Sequence, residues 1–381
     1  MLDHGKVERF IGVAPDFLVE FIPSLEKRRL YVLLRSGYSV EVTDLLKHRD
    51  ISTSFGRVGL GTLCSYVKPI YGCSWCDLDS AVSELEESLR SVLEGRNVLL
   101  CYSGGKDSTL ALLLLSRLID KVSFRLHLVY IYIPFLDDPK GPDVASRLAS
   151  KLGCNLEVIE AKRRDVRSYL RWRGLPRLGD RWCTQFKTRP VKKLAKELDA
   201  LIVVADRATE SPKRCRKLVR ALVSRPSSRV RKLYIIAKAT LLDVVKIVSE
   251  HDLVHPLYMS GATRISCTLC PFKSIYEYTV VDQSIEDEGL IESVLEKEYR
   301  RLYSNFVPKE SFYENLLWRF SPRKSKIIHE LLTFISRYAV EARSISFKEV
   351  QRTLSRLWMQ LGSIPRVDLA SITDLCSTLS S

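Results

Sequence analysis

The residues best equipped for chemistry lie in one hexapeptide, Ser103-Gly104-Gly105-Lys106-Asp107-Ser108. Paired glycines let a backbone take positive φ and come close to a ligand. Lys106 adds a mobile positive charge, Asp107 a carboxylate able to hold Mg²⁺, and Ser103 and Ser108 hydroxyl donors. Together these groups suit a phosphate chain. A second set is sulfur: Cys183, followed much later by Cys267 and Cys270 just before Pro271. A third is Cys64 with the Cys73-Ser74-Trp75-Cys76 turn. A Cys-x-x-Cys turn places two thiolates where one metal can take both. The N-terminal three need a fourth ligand, such as His48, to close a tetrahedral zinc site, and a zinc or iron–sulfur centre there stands against buried, unligated thiols.

The elements around the hexapeptide explain how it would be positioned. Val98 to Tyr102 is a short apolar run of the kind a buried parallel strand shows, and Thr109 to Leu118 is apolar with good helix formers. The hexapeptide is then a strand-to-helix turn, with free N–H groups and a positive dipole end aimed at an anion. It is not the common P-loop, because Gly-x-x-x-x-Gly-Lys-Ser/Thr does not occur. Strand and helix signals continue to alternate: His127 to Ile133, Leu156 to Ala161, Leu201 to Asp206 and Tyr234 to Ala237 read as strands. Pro142 to Leu152, Val191 to Leu198 and Leu241 to Glu250 read as helices. This pattern predicts an α/β fold with a doubly wound parallel sheet and ligands at the carboxyl ends of its strands.

Four regions are expected. Residues 1–76 form a small N-terminal module in which Leu30 to Leu34 and Tyr38 to Val42 read as a hairpin. Residues 77–96 hold a connector helix over Asp79 to Glu94, with Asp79 as cap and Gly95 as terminator. Residues 97–280 form the nucleotide domain. Residues 281–381 turn helical, with segments Leu290 to Tyr303, Phe312 to Phe320, Ser325 to Ala342 and Phe347 to Leu361, and Trp318 and Trp358 as core residues.

Apolar content of 46% and charged content of 28% describe a soluble globular chain of 381 residues. The N-terminus lacks a signal-peptide pattern and the run Leu110 to Leu115 is too short to span a membrane, so a cytoplasmic protein without membrane contact is expected. The net charge of +15 is concentrated: residues 162–232 hold 23 Lys and Arg against 6 Asp and Glu. Such a concentration is the footprint of a polyanion, and Tyr169, Trp172 and Trp182 among the arginines could stack on bases. The alternative is a solvated surface with a few sulfate- or phosphate-binding arginines.

The hexapeptide resembles the PP-loop of the adenine nucleotide α-hydrolase superfamily, whose members typically cleave ATP to AMP and pyrophosphate. Asp206-Arg207-Ala208-Thr209-Glu210-Ser211-Pro212-Lys213-Arg214 resembles the Gly-x-Arg-x-x-Glu-Ser-x-x-Arg segment of the phosphoadenosine phosphosulfate (PAPS) reductase-like family. The stretch with His255-Pro256-Leu257-Tyr258, Gly261, Arg264 and Cys267-Thr268-Leu269-Cys270-Pro271-Phe272 resembles the same family's Arg-x-x-Cys-x-x-Cys-Pro-Phe block, and Arg181-Trp182-Cys183-Thr184 a further one. The resemblance implies an adenine nucleotide held by Ser103 to Ser108 with Arg207, Glu210, Ser211, Arg214 and Arg264, and Lys106 and Asp107 as catalytic residues.

Cys183, Cys267 and Cys270 are similar to the ligands of a [4Fe–4S] cluster in this family, although the usual first Cys-Cys pair is a single cysteine here and Cys215 is a candidate fourth ligand. Zinc at the same place, or no metal, is the alternative. The Glu-Cys-Gly-x-x-His segment of the family's reductases is missing, with only Cys376 near the C-terminus, whereas the phosphate loop is complete as in ATP users. The expected function is ATP cleavage and adenylation of an acceptor for sulfur transfer, the acceptor being tRNA or DNA, with a sulfur or electron donor protein unassigned. The alternatives are a sulfonucleotide reductase and a non-catalytic nucleotide sensor or nucleic-acid binder.

Overall fold

The computed structural model describes residues 10–14, 16–22, 27–44, 51–58, 70–223, 231–338, 343–359 and 361–378. The N-terminal strands are β1 (Phe10–Ala14), β2 (Phe17–Ile22), β3 (Lys27–Leu33), β4 (Tyr38–Glu41), β5 (Ile51–Thr53) and β6 (Gly56–Val58). After α1 (Leu78–Leu93) the central domain runs β7 (Asn97–Cys101), α2 (Lys106–Leu118), β8 (Arg125–Tyr132), α3 (Gly141–Ser150), β9 (Glu157–Glu160), α4 (Arg163–Arg173), α5 (Thr184–Glu197), β10 (Leu201–Val203), α6 (Pro212–Val223), β11 (Lys232–Leu233), α7 (Leu241–Glu250), α8 (Pro256–Met259) and α9 (Ile275–Val280). Then follow α10 (Glu288–Glu298), α11 (Lys309–Glu314), α12 (Pro322–Tyr338), β12 (Ser344–Ser346), α13 (Phe347–Arg356) and α14 (Leu369–Thr378).

Five parallel strands form the central sheet in the order β11-β10-β7-β8-β9. The chain winds outward from β7 through β8 to β9, then crosses to β10 and β11 on the other side. This is the doubly wound α/β architecture, and its direction reverses between β7 and β10. Ligands of such sheets sit at that reversal, beyond the carboxyl ends of the strands. Alternate residues of β7 feed two helical layers. Val98 and Leu100 join a core with Leu110 to Leu115 of α2 and Val244, Val245 and Val248 of α7, whereas Leu99 packs with Val129, Ile131, Val191 and Ala195. Strands buried on both faces read as continuous apolar runs, which is how β7 appears in the sequence. Each buried leucine contributes roughly 1.5–3 kcal/mol, so α2 is held rigidly and its N-terminus is fixed in place.

Several local expectations need correction. Asp77, not Asp79, caps α1, forming a capping box with Ser80, because Leu78 must already lie in the buried stripe. Strand β11 ends at Leu233, and Tyr234 starts a turn closed by Ala237 N–H donating to the Tyr234 carbonyl. The segment 312–320 is broken at Leu316, whose φ is +51°. Basic residues 163–173 form α4, which the sequence reading left unassigned. The hairpin is present as β3 and β4, and β12 pairs with β4, so the C-terminal region supplies the fifth strand of the N-terminal sheet. Arg319, fully buried, grips both carboxylate oxygens of Asp16 at 2.8 and 3.0 Å and the Lys273 carbonyl at 2.8 Å, joining that sheet to the rest. Among the described residues no helix is long and apolar enough to cross a membrane.

Candidate phosphate loop and thiol cluster

The Ser103–Ser108 loop leaves β7 and enters α2 at the sheet's reversal point. Gly104 has φ +70°, and a Cβ there would come 3.2 Å from His255 Cδ2. Both facts demand glycine. Gly105 is the N-cap of α2 and offers no side-chain cap. The Ser108 hydroxyl donates to the Gly105 carbonyl at 2.8 Å and lies 3.3 Å from the Ser103 hydroxyl, which closes the loop on itself. The Lys106 N–H donates to the Tyr258 hydroxyl at 3.0 Å. Tyr258, from α8, is thus a wall of the loop that sequence reasoning placed only in a family block.

The electrostatics centre on Asp107. Arg207 Nε donates to Asp107 Oδ1 at 2.6 Å, and Lys106 Nζ stands 3.2 Å from Oδ2. Burial alone would raise the carboxyl, but Arg207 first and Lys106 next outweigh it and hold its pKa at about 2. Arg207 itself is buried and is steadied by Thr209 at 3.1 Å. His255 beside Gly104 is buried, which lowers its pKa to about 4, and its Nδ1 accepts from the Leu257 N–H. It is a neutral packing group at ordinary pH.

The other expected nucleotide residues are spread out. Arg214 pairs with Glu210 and Asp206 rather than standing open, and Ser211 accepts the Arg214 N–H at 3.3 Å, so Glu210, Ser211 and Arg214 form a local cluster at the start of α6. Arg264 turns away from the loop, its guanidinium over the Phe272 ring at 5.7 Å and its Nη2 3.9 Å from Cys270 Sγ. Its neighbour Ile265 is the residue that faces Gly105. Residues 264–270 therefore connect the phosphate loop to the sulfur groups.

Cys183 is the N-cap of α5, and Cys267 and Cys270 form one turn, with Cys270 N–H donating to the Cys267 carbonyl at 3.2 Å. The thiols feel one another electrostatically: burial raises the Cys183 pKa and Cys270 adds to it, while Cys267 is raised strongly by burial, then by Asp137. Lys187, one turn along α5 from Cys183, was missed by sequence reasoning. Its Nζ lies 3.2 Å from both Cys267 Sγ and Asp137 Oδ1. Burial opposes its charge, but Asp137 and Cys267 lift its pKa well above the usual lysine range. Asp137 is buried and accepts the Ile133 N–H at 2.8 Å. The i, i+4 spacing of Cys183 and Lys187 on a helix was the signal that could have exposed this lysine.

As donors, three thiols flanked by Lys187 and Arg264 suit an anionic iron–sulfur centre in kind. Among the described residues, however, no three His, Cys, Asp or Glu side chains stand together as a metal would gather them. Cys215 is disulfide-bonded and fully buried in an apolar cluster with Ala208, Leu218 and Ile372, which removes it as a fourth ligand. Of the N-terminal set, Cys64 and His48 lie outside the described residues. Cys73 is buried with its thiol pushed up to about 12 by burial and then Asp243, and Cys76 is exposed. Of the three aromatics in the basic stretch, Trp182 is buried, Tyr169 packs against it at 5.3 Å, and Trp172 is exposed.

Residues 97–273 match the phosphoadenosine phosphosulfate reductase domain family. The match places that domain over the central sheet and the phosphate loop. Domains of the PAPS reductase family bind adenine nucleotides. No curated protein sequence matches the chain. Solved structures with similar features include the U34-tRNA thiolase NcsA from Methanococcus maripaludis with its [4Fe-4S] cluster, at 12% identity and TM-score 0.36 over 79% of this chain and 88% of that one. An NH3-dependent NAD synthetase from Campylobacter jejuni follows at 14% identity and TM-score 0.32, over 60% and 87% of the two chains. A glutamine-dependent NAD+ synthetase from Acinetobacter baumannii has 13% identity and TM-score 0.33, over 75% and 50%. At such identities and TM-scores the family assignment rests on residues 97–273 alone.

Proposed function

We propose that this PAPS reductase family protein is an ATP-dependent enzyme that adenylates an acceptor for sulfur transfer, the acceptor being a nucleic acid. The observation that carries the reading is the Arg207–Asp107 contact. It joins the complete Ser103–Ser108 loop after β7 to the segment after β10 across the sheet's reversal point. Loop amides and the Ser103 and Ser108 hydroxyls would orient the triphosphate, with Lys106 against the phosphate oxygens. An acceptor oxygen attacks the α-phosphorus, the bond to the bridging oxygen of the β-phosphate breaks, and pyrophosphate leaves with its developing charge facing Lys106 and Arg207. In the second step sulfur attacks the activated carbon and AMP departs with the acceptor oxygen.

Asp107, kept ionised by its neighbours, is a hard oxygen donor that would hold Mg²⁺, and that ion supplies charge neutralisation on the leaving pyrophosphate. Cys183, Cys267 and Cys270 are the residues that would hold an iron–sulfur cluster, which would supply sulfur chemistry when bound. Lys187 keeps Cys267 and Asp137 in register beside that place. A zinc ion on Cys64, Cys73 and Cys76 is a further proposal.

Pyrophosphate release from ATP with an RNA acceptor, abolished in Lys106→Ala and Asp107→Ala, is the expected result. Sulfite release from adenylyl sulfate or PAPS without pyrophosphate from ATP overturns it in favour of a reductase. ATP binding without turnover leaves a nucleotide sensor. Anaerobic iron and sulfide analysis of the wild type and Cys183→Ala tests the cluster, with loss of iron in the variant expected.

A further inference from the structure

Part of the charge of the basic stretch 162–232 is matched by carboxylates. Arg163, Arg167 and Arg173 meet Glu286, Asp287 and Asp180, while Lys187, Arg207, Arg214 and Lys217 meet Asp137, Asp107, Glu210 and Asp206. Others there, such as Arg164, Arg171, Arg189 and Lys192, are exposed without a carboxylate partner among the described residues, and helix α13 sets its exposed cations in a row. Phe347, Val350, Leu354 and the following Trp358 turn inward and are buried. Its outer face carries Lys348, Arg352 and Arg356 at i, i+4 and i+8, all exposed. None of the three has a carboxylate within 4.0 Å among the described residues. They line an open groove of about 520 Å³ together with Gln351, Ser355 and Met359.

We propose that this groove binds the phosphate backbone of a nucleic acid and seats the acceptor beside the phosphate loop. Four residues of helix rise roughly 6 Å, so the cations form a straight row able to meet successive phosphates. Between them the Ser355 hydroxyl donates to the Gln351 carbonyl at 2.8 Å, which leaves the three cations as the groups that meet phosphate.

The placement ties the groove to the reaction centre. Gln351 Nε2 donates to the Ser260 carbonyl at 3.0 Å, at the end of α8. Trp358 stacks on Tyr258 with ring centroids 4.6 Å apart, and the Tyr258 hydroxyl accepts the Lys106 N–H. One aromatic pair therefore separates α13 from the loop that would hold ATP. The inference rests on the reading above only for the acceptor being a nucleic acid.

The test is anisotropy of a fluorescein-labelled transfer RNA transcript titrated with the full chain at several salt concentrations. Lys348→Gln/Arg352→Gln/Arg356→Gln is compared with the charge-keeping Lys348→Arg/Arg352→Lys/Arg356→Lys. The glutamine variant should bind at least about tenfold more weakly at low salt, with the slope of log K against log salt reduced by roughly 2–3. The charge-keeping variant should match the wild type. Circular dichroism checks that both are folded, as expected for substitutions at exposed positions. Equal affinity and slope for the glutamine variant and wild type would overturn the proposal, as would a wild type that does not bind the RNA. Neither outcome touches ATP cleavage, which Lys106→Ala tests separately.

Discussion

Arg207 and Asp107, one hundred positions apart in the chain, meet at 2.6 Å across the point where the central sheet reverses direction. The contact makes the phosphate loop a two-sided site. One side is the head of α2, and the other is the backbone after β10, where Ala208 N–H donates to the Ala237 carbonyl at 2.8 Å.

Replacing Arg207 with Gln should therefore do more than remove one cation. Asp107 would keep Lys106 alone, and its pKa would rise from about 2 towards the ordinary carboxylate value. A depressed carboxylate stabilises the fold above its unfolded pKa, near 4, and that contribution is lost as pH falls towards 2. The wild type should thus lose on the order of 2 kcal/mol between pH 5 and pH 2 that Arg207→Gln lacks, as read by urea unfolding. Pyrophosphate release should fall about 100-fold or more, on the scale of losing one preorganised charge at a developing anion. An unchanged rate would remove Arg207 from the site.

Gly104→Ala tests the loop's backbone. An L side chain at φ +70° costs roughly 1–2 kcal/mol, and the contact of 3.2 Å with His255 adds crowding. ATP affinity by calorimetry should drop more than stability does, because the amides would be re-aimed. Equal ATP affinity would show that the phosphates do not touch this turn.

Lys187 and Asp137 should behave as an energetically coupled pair. Lys187→Met leaves Asp137 buried with the Ile133 amide and the Cys267 thiol but no cation, a loss of roughly 1–3 kcal/mol. Adding Asp137→Asn should restore part of it, since the stranded charge is gone. Strict additivity in urea unfolding would deny the coupling.

Glu298 predicts the opposite pH behaviour from Asp107. It is buried, accepts the Leu175 N–H at 2.9 Å, and has its pKa pushed up to about 7 by burial. A raised carboxyl favours the protonated fold, so stability is full below about 4.5 and declines as pH rises to 7. Glu298→Gln should match the wild type at pH 5 and exceed it at pH 8 by about 1–2 kcal/mol, measured by thermal or urea unfolding. The same side chain occupies the space over Gly174, whose φ is +77°.

The sequence by itself determined the phosphate loop, because strand, glycines, charge and helix are contiguous and each is a local signal. Alternating apolar runs likewise determined the parallel α/β domain and most of its strands. What it could not supply were pairings between distant segments. The concentration of arginines in 162–232 looked like a binding face, but charge counting cannot see that Arg163, Arg207 and Arg214 meet carboxylates. Three exposed cations also line one face of α13, a short amphipathic helix whose place beside a groove no local signal marks. Only tertiary structure decided which strand neighbours β7, which lysine reaches Cys267, and that Tyr258 supplies the loop's wall. These are outcomes of how helices dock on a twisted sheet, and no spacing along the chain encodes them.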